Sequence, residues 1–212
     1  MKRLILPLLL LSALLWANPL SAELLKLREF DGVGGDFTLT DHRGQPWTLS
    51  KQNKVVMLFF GYLNCPDICP MTLMEMVEVK SMLGKRGEQV VFVLVSLDHE
   101  RDDPAKMKDY LINFDPAFIG LVGSDKEIAQ VAEQYKVFYK KRELRSALGY
   151  SVDHSGSVYL ISKEGNLRHI FPSRSPKSRY LQGLNMMLDG EGDDPLPKGN
   201  ANWKDKLKSI FD

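Results

Sequence analysis

Cysteine is nearly absent from this chain of 212 residues: there are two, Cys65 and Cys69, and no others. A disulfide between residues so close together would shut only a very short loop, the kind that loop entropy rewards least. A bridge kept purely for stability more usually joins distant segments, so the spacing hints at a job for the sulfurs. Charge of one sign is also missing. Lys and Arg number 28 against 27 Asp and Glu, for a formal net charge of +1. Lys2 and Arg3 fall in an acid-free leader, which leaves the remainder close to neutral and without the basic excess expected of a nucleic-acid binder. No internal repeat is visible. No cysteine lies near residue 22, which excludes lipid attachment at a processed N-terminal Cys.

What is there begins with an export segment. Lys2 and Arg3 form a charged start, Leu4–Ala17 is an apolar run, and Asn18–Ala22 is a plausible cleavage region, although Leu20 sits where a small residue is preferred. As a helix rising about 1.5 Å per residue, Leu4–Ala22 reaches roughly 28 Å, just short of a hydrocarbon core of roughly 30 Å. Residues 1–22 therefore read as a signal peptide or as an N-terminal membrane anchor at residues 4–22. Either way the domain is expected outside the cytoplasm, in a periplasmic or similar space where a disulfide can persist.

The hydrophobic content of 44% is ordinary for a globular domain, placed at residues 23–188. Phe37–Thr40 and Pro46–Leu49 flank Asp41-His42-Arg43-Gly44, a hairpin signal. Lys54–Tyr62 and Gln89–Asp98 are continuous apolar runs, as in strands buried on both faces. Phe118–Val122 is a shorter one. Helices are expected over Met71–Leu83, ending at Gly84, over Ala105–Phe114 behind Asp103-Pro104, over Asp125–Tyr135 with Ser124 or Asp125 as the N-cap, and over Pro176–Leu188. Ser157–Ser162 and Leu167–Phe171 flank Lys163-Glu164-Gly165-Asn166, a second hairpin. Strands alternating with helices imply an α/β fold with a partly parallel sheet covered on both faces. The arrangement suits a thioredoxin-like mixed sheet flanked by helices, with an added N-terminal β-hairpin and insertions. Residues 189–212 read as a Gly/Pro/Asp linker and a short amphipathic segment. Its Trp203, Leu207, Ile210 and Phe211 share one face, to pack on the domain or to meet a partner or membrane surface.

The segment Phe59–Met71, FFGYLNCPDICPM, runs from a buried strand into a turn with both sulfurs and then into a helix. In open α/β sheets chemistry gathers beyond the carboxyl ends of the strands. Pro66 and Pro70 restrict the turn, and Pro70 fits the first helical position. If Cys65–Cys69 is a helical turn, the two β-carbons lie about 5–6 Å apart. That spacing lets two thiolates share one ion or, after slight adjustment, close a disulfide. A helix N-terminus also lowers thiol pKa. The spacing is C-x3-C rather than the C-x2-C of ordinary thiol oxidoreductases.

Asp153-His154-Ser155-Gly156 precedes the strand Ser157–Ser162. In thioredoxins the corresponding loop faces the Cys pair and carries a cis-proline; here it carries a histidine. A loop His is most often a solvent-facing group, but opposite two thiolates it completes a soft three-ligand set. Cys65, Cys69 and His154 suit copper, whereas zinc would want a fourth ligand and no further Cys exists.

With these residues in view, the sequence resembles the Sco/SenC family of copper chaperones for cytochrome c oxidase, from about Asp36 to Leu188. The resemblance is carried by FFGYLNCPDICP (59–70), VSLDHERDDP (95–104) and DHSGSVYLISKEG (153–165). It implies a thioredoxin-like fold, copper held by Cys65, Cys69 and His154, and delivery to the dinuclear copper site of the oxidase, with the copper-receiving subunit as partner. Two departures flank the site: His99 where proline is usual, and Asn64 where His or Thr is common.

Two other functions compete. A thiol–disulfide oxidoreductase would use Cys65 and Cys69 as its redox pair without needing His154. A peroxiredoxin-like or purely structural module is the third, although no Thr or Arg precedes Cys65 as a peroxidatic cysteine requires. Among the remaining residues, Asp98 is placed to orient the site, contact a partner or cap the following turn. Asp67 reads as solvated or as a helix cap. Met71 and Met74 offer thioethers, but their helical spacing points to core packing, Met76 likewise. His99 is a fifth site residue or a surface residue, His42 and His169 are expected at the surface, and Lys140–Arg145 is expected to be a solvated loop.

Overall fold

The computed structural model describes residues 30, 32–145 and 149–190. The leader at 1–22 and the segment at 191–212 lie outside the described residues. Among those described, no helix is long and apolar enough to cross a membrane.

The chain opens with the expected hairpin, β1 (Thr38–Asp41) and β2 (Pro46–Thr48). Asp41 shapes its turn by accepting from the backbone N–H groups of Arg43 and Gln45 at 2.8 and 3.0 Å. Next come β3 (Val55–Gly61), α1 (Ile68–Leu83), β4 (Val90–Ser96), α2 (Pro104–Leu111), β5 (Ile119–Val122) and α3 (Asp125–Gln134). A ribbon of β6 (Tyr139–Glu143) and β7 (Tyr150–His154) precedes β8 (Val158–Ile161), β9 (Leu167–Phe171) and α4 (Lys177–Leu188). Seven strands form one mixed sheet in the order β2-β1-β5-β4-β3-β8-β9. β3, β4 and β5 run parallel, while β1, β8 and β9 join antiparallel. All seven residues of β3 are buried, which is why its sequence is a continuous apolar run with no alternation.

The helices begin where local chemistry stops the strand. Asp103 caps α2 by accepting from the N–H of Lys106, with Pro104 at the first helical position. Ser124 and Glu127 form a reciprocal capping box on α3. α1 starts at Ile68, earlier than its apolar periodicity suggests, so Pro70 is its third residue rather than its first. A proline is tolerated there because first-turn N–H groups have no intrahelical partner.

That start fixes which face of α1 is inside. Cys69, Thr72, Leu73, Met76, Val79 and Leu83 are buried, a stripe at three- and four-residue steps. Met71 and Met74 fall between those steps and are 46% and 51% exposed, so their expected core packing is corrected; Met76 is fully buried.

The β6–β7 ribbon is a second correction. Lys140–Glu143 lies in a strand, paired antiparallel with Ser151–Asp153 and Tyr150, rather than in a free loop. Its side chains are exposed because a two-stranded ribbon outside the main sheet has little apolar surface to cover. Its polar sequence therefore carries no strand signal. His42 is half-buried rather than superficial: its Nδ1 accepts from the N–H of Gly120 at 3.1 Å, tying the first turn to β5. His169 is also half-buried, with its ring 4.5 Å from that of Phe171.

Candidate metal centre

Three elements converge at the carboxyl end of β3. The strand ends at Gly61, and the chain turns through Tyr62–Cys65, closed by a hydrogen bond from the N–H of Cys65 to the carbonyl of Tyr62 at 3.3 Å. Cys65 therefore sits in the turn, half-buried, rather than on the helix. Cys69 is the second residue of α1 and is fully buried. Gly61 makes room for it: a β-carbon at that position would lie 2.7 Å from Cys69 Sγ. No side chain larger than hydrogen fits between the strand and this sulfur without displacing one of them.

His154 arrives from the other side as the last residue of β7, opposite Tyr139 of β6. It is thus at a strand end, not in the open loop expected from sequence. Its ring lies against Phe59 and Tyr62, with centroid separations of 6.1 and 5.9 Å. Nδ1 is 3.1 Å from the carbonyl oxygen of Ser155. A carbonyl only accepts, so Nδ1 donates to it, and Nε2 is the ring nitrogen that faces the sulfurs. Cys69 Sγ is 3.5 Å from Nε2. The two sulfurs and one ring nitrogen all lie within 4.8 Å of one another, the one such group among the described residues.

The two thiols are not equivalent. A hydrogen bond from Cys69 is the largest influence on Cys65, reinforced by His154 and by the backbone amides of Asp67 and Cys69; together they bring Cys65 from 9.0 down to about 3. Cys69 moves the opposite way, pushed up first by that same hydrogen bond, then by burial and by the neighbouring thiolate. The pair shares one proton, as a thiolate at Cys65 and a thiol at Cys69. The N-terminus of α1 adds favourable potential for the negative charge.

Supporting residues hold the two segments that carry the sulfurs and the imidazole. Asp98 is buried two residues past the end of β4 and accepts from the Tyr150 hydroxyl at 2.6 Å and from Arg101 Nε at 2.5 Å. Arg101 also donates to the carbonyl of Tyr150 at 3.0 Å and stacks 3.6 Å from its ring centroid. Asp98 thus anchors the start of β7, four residues before His154. Asp102, which pattern reading passed over, is buried beneath the Cys65 turn. Its one signal in the sequence was an acid shortly after a buried strand, inside the segment 95–104.

The other candidates lie apart from the three candidate ligand atoms. His99 pairs with Asp125 at 3.2 Å. Asp67 is exposed at the N-cap position of α1 but makes no side-chain capping bond; its carboxylate is 3.6 Å from Arg174. Lys141 meets Glu100 in the segment between β4 and α2, and Arg142 meets Asp153 across the ribbon.

The family model described as SCO1/SenC matches residues 26–189. The chain belongs to the SCO1/SenC family. An SCO2-like protein of Rickettsia conorii is 36% identical over 163 residues, covering 76% of this chain and 80% of that protein. Among solved structures, Bradyrhizobium japonicum ScoI with copper bound is 37% identical at a TM-score of 0.67, over 73% of this chain and 99% of that one. Arabidopsis thaliana ScoI with copper bound is 32% identical at a TM-score of 0.69, over 74% of this chain and 99% of that one. The thioredoxin-like fold expected from the order of strands and helices is the fold of this SCO1/SenC chain.

Proposed function

We propose that this chain binds copper through Cys65 Sγ, Cys69 Sγ and His154 Nε2 and carries it, outside the cytoplasm, to the dinuclear copper site of cytochrome c oxidase. The observation that carries the reading is the direction in which Nε2 faces. The Nδ1 bond to Ser155 aims it at two sulfurs within 4.8 Å, one already a thiolate. Two sulfurs and one imidazole are a soft set suited to copper. The copper-bound relatives from Bradyrhizobium and Arabidopsis support the same metal.

Copper is cargo here, and its uptake requires Cys69 to release its proton, so loading is linked to pH and to the reduced state of the pair. Export by residues 1–22 and contact with the copper-receiving oxidase subunit belong to the same proposal. The reduced protein is expected to bind one copper, and His154→Ala, Cys65→Ser and Cys69→Ser each to lose tight binding in chelator competition. Unchanged copper content in His154→Ala would sink the ligand assignment. Transfer is tested by mixing the loaded protein with the reduced apo copper domain of the oxidase and following the visible absorption of the dinuclear centre.

A second reading, a thiol–disulfide reductase for that partner's cysteines, is favoured by the asymmetry of the pair. An accessible thiolate at Cys65 attacks, and a buried thiol at Cys69 resolves. Reductase turnover that survives in His154→Ala while copper binding is lost supports this role as separable.

A further inference from the structure

Asp102 lies under the turn that carries Cys65. One oxygen of its carboxylate accepts from the backbone N–H of Leu63 at 3.0 Å and from the hydroxyl of Ser96 at 2.6 Å. Ser96 is the last residue of β4 and is itself buried; its hydroxyl also accepts from the N–H of Asp98 at 3.0 Å. The backbone N–H of Asp102 bonds to the carbonyl of Asp98 at 2.9 Å, which fixes where the carboxylate points. A chain of short contacts therefore runs from the rigid centre of the sheet, through Ser96 and Asp102, to the middle of the Tyr62–Cys65 turn.

A buried carboxylate is an expensive strut. Only 6% of the residue is exposed, and burial raises its pKa. Leu63 is two residues before Cys65, so any slack in the turn moves the Cys65 sulfur relative to Cys69, whose own place is set by α1 and Gly61.

We propose that Asp102 is a positioning residue for the sulfur pair: braced by Ser96, its carboxylate oxygen holds the Leu63 amide and so sets Cys65 Sγ at the right distance from Cys69 Sγ and His154. The role rests on the copper reading only for its metal readout, because the sulfur pair can be interrogated without metal.

The test uses the exported protein with Asp102→Ala, which removes the acceptor, and Asp102→Asn, whose amide oxygen can still receive both donors. The metal-free protein is equilibrated with glutathione and glutathione disulfide. Two glutathione thiols then reduce the Cys65–Cys69 disulfide to the dithiol and yield one glutathione disulfide. A loosened turn brings the sulfurs together less often, so ring closure in Asp102→Ala is expected to be about tenfold less favourable, a potential about 30 mV higher. Copper affinity, by chelator competition, is expected to fall roughly 10–100-fold, as when a metal ligand loses its outer support. Asp102→Asn is expected to stay within about threefold of the parent on both readouts.

A redox equilibrium unchanged in Asp102→Ala overturns the proposal. So does an Asn variant that falls as far as the Ala variant, since charge rather than hydrogen bonding would then be at work. Should Asp102→Ala fail to fold, Ser96→Ala takes its place, with a smaller shift in the same direction expected; no shift there likewise overturns it. If the parent protein binds no copper while the redox shift is seen, the copper reading fails and the positioning role stands.

Discussion

At the scale of single residues, the site depends on an atom that is missing. Gly61 ends β3 where a β-carbon would sit 2.7 Å from Cys69 Sγ and 2.9 Å from the Phe59 ring. Both neighbours yield only at a cost, one held by a helix start and the other in the core. Gly61→Ala is therefore expected to destabilise the fold by about 1–3 kcal/mol, as overpacking does, and to weaken copper binding as the sulfur is pushed aside. Denaturant unfolding and chelator titration measure the two effects, and an Ala variant with parental values of both would refute the close-packing argument. The unequal thiols give a second prediction. With Cys65 held to about 3 and Cys69 pushed up, iodoacetamide at pH 6 should modify Cys65 quickly and leave Cys69 largely intact, as read by peptide mass analysis. Equal labelling of the two would contradict it.

At the scale of elements, the β6–β7 ribbon is the piece that brings the histidine, and Tyr150 is where it is fastened. Tyr150→Phe keeps the ring under Arg101 but deletes the bond to Asp98. The expected cost is about 1 kcal/mol in stability, with faster amide exchange concentrated in Tyr150–His154; exchange that is unaltered there would remove Asp98 from its anchoring role. The ribbon also marks what sequence reading could and could not reach. The seven-stranded sheet was legible because β3 and β4 are apolar throughout, and the helix starts because Asp103 and Ser124 carry cap chemistry. The strand identity of Lys140–Glu143 was not, since its side chains contact water and leave no alternation to read. Met71 and Met74 were assigned inward for a related reason. Helical spacing alone does not set phase, and the phase of α1 was decided by its start at Ile68. Cys65, Cys69 and His154 were singled out from the spacing of the sulfurs and from a histidine standing where thioredoxins carry a cis-proline, and the fold brings the three together. Asp102 was not, because a lone acid acquires meaning only once the fold places an amide and a hydroxyl beside it.

At the scale of the molecule, protonation and metal become terms in stability. Between about 3 and 9.0 the folded pair binds one proton fewer than the unfolded chain, because Cys65 is depressed and both thiols are protonated when unfolded. The Cys65 contribution is full above 9.0 and is lost as pH falls towards 3, while that of the raised Cys69 is full below 9.0 and lost above it. The reduced protein should thus gain Tm relative to Cys65→Ser as pH climbs from 5 to 8, and parallel curves would speak against a native thiolate. Bound copper should add stability by mass action, about 4 kcal/mol at a thousandfold excess over Kd, and a chelator should remove it. Scanning calorimetry with and without chelator checks this, with His154→Ala expected to show little difference.

The ribbon belongs to neither edge of the large sheet, and this separates two kinds of change. Substitutions in the seven strands are expected to alter whether the molecule folds, and substitutions in β6 and β7 how firmly the proposed third ligand is offered. A lineage of such chains can retune its grip on cargo by editing a short exposed hairpin, leaving the architecture that positions the sulfurs untouched.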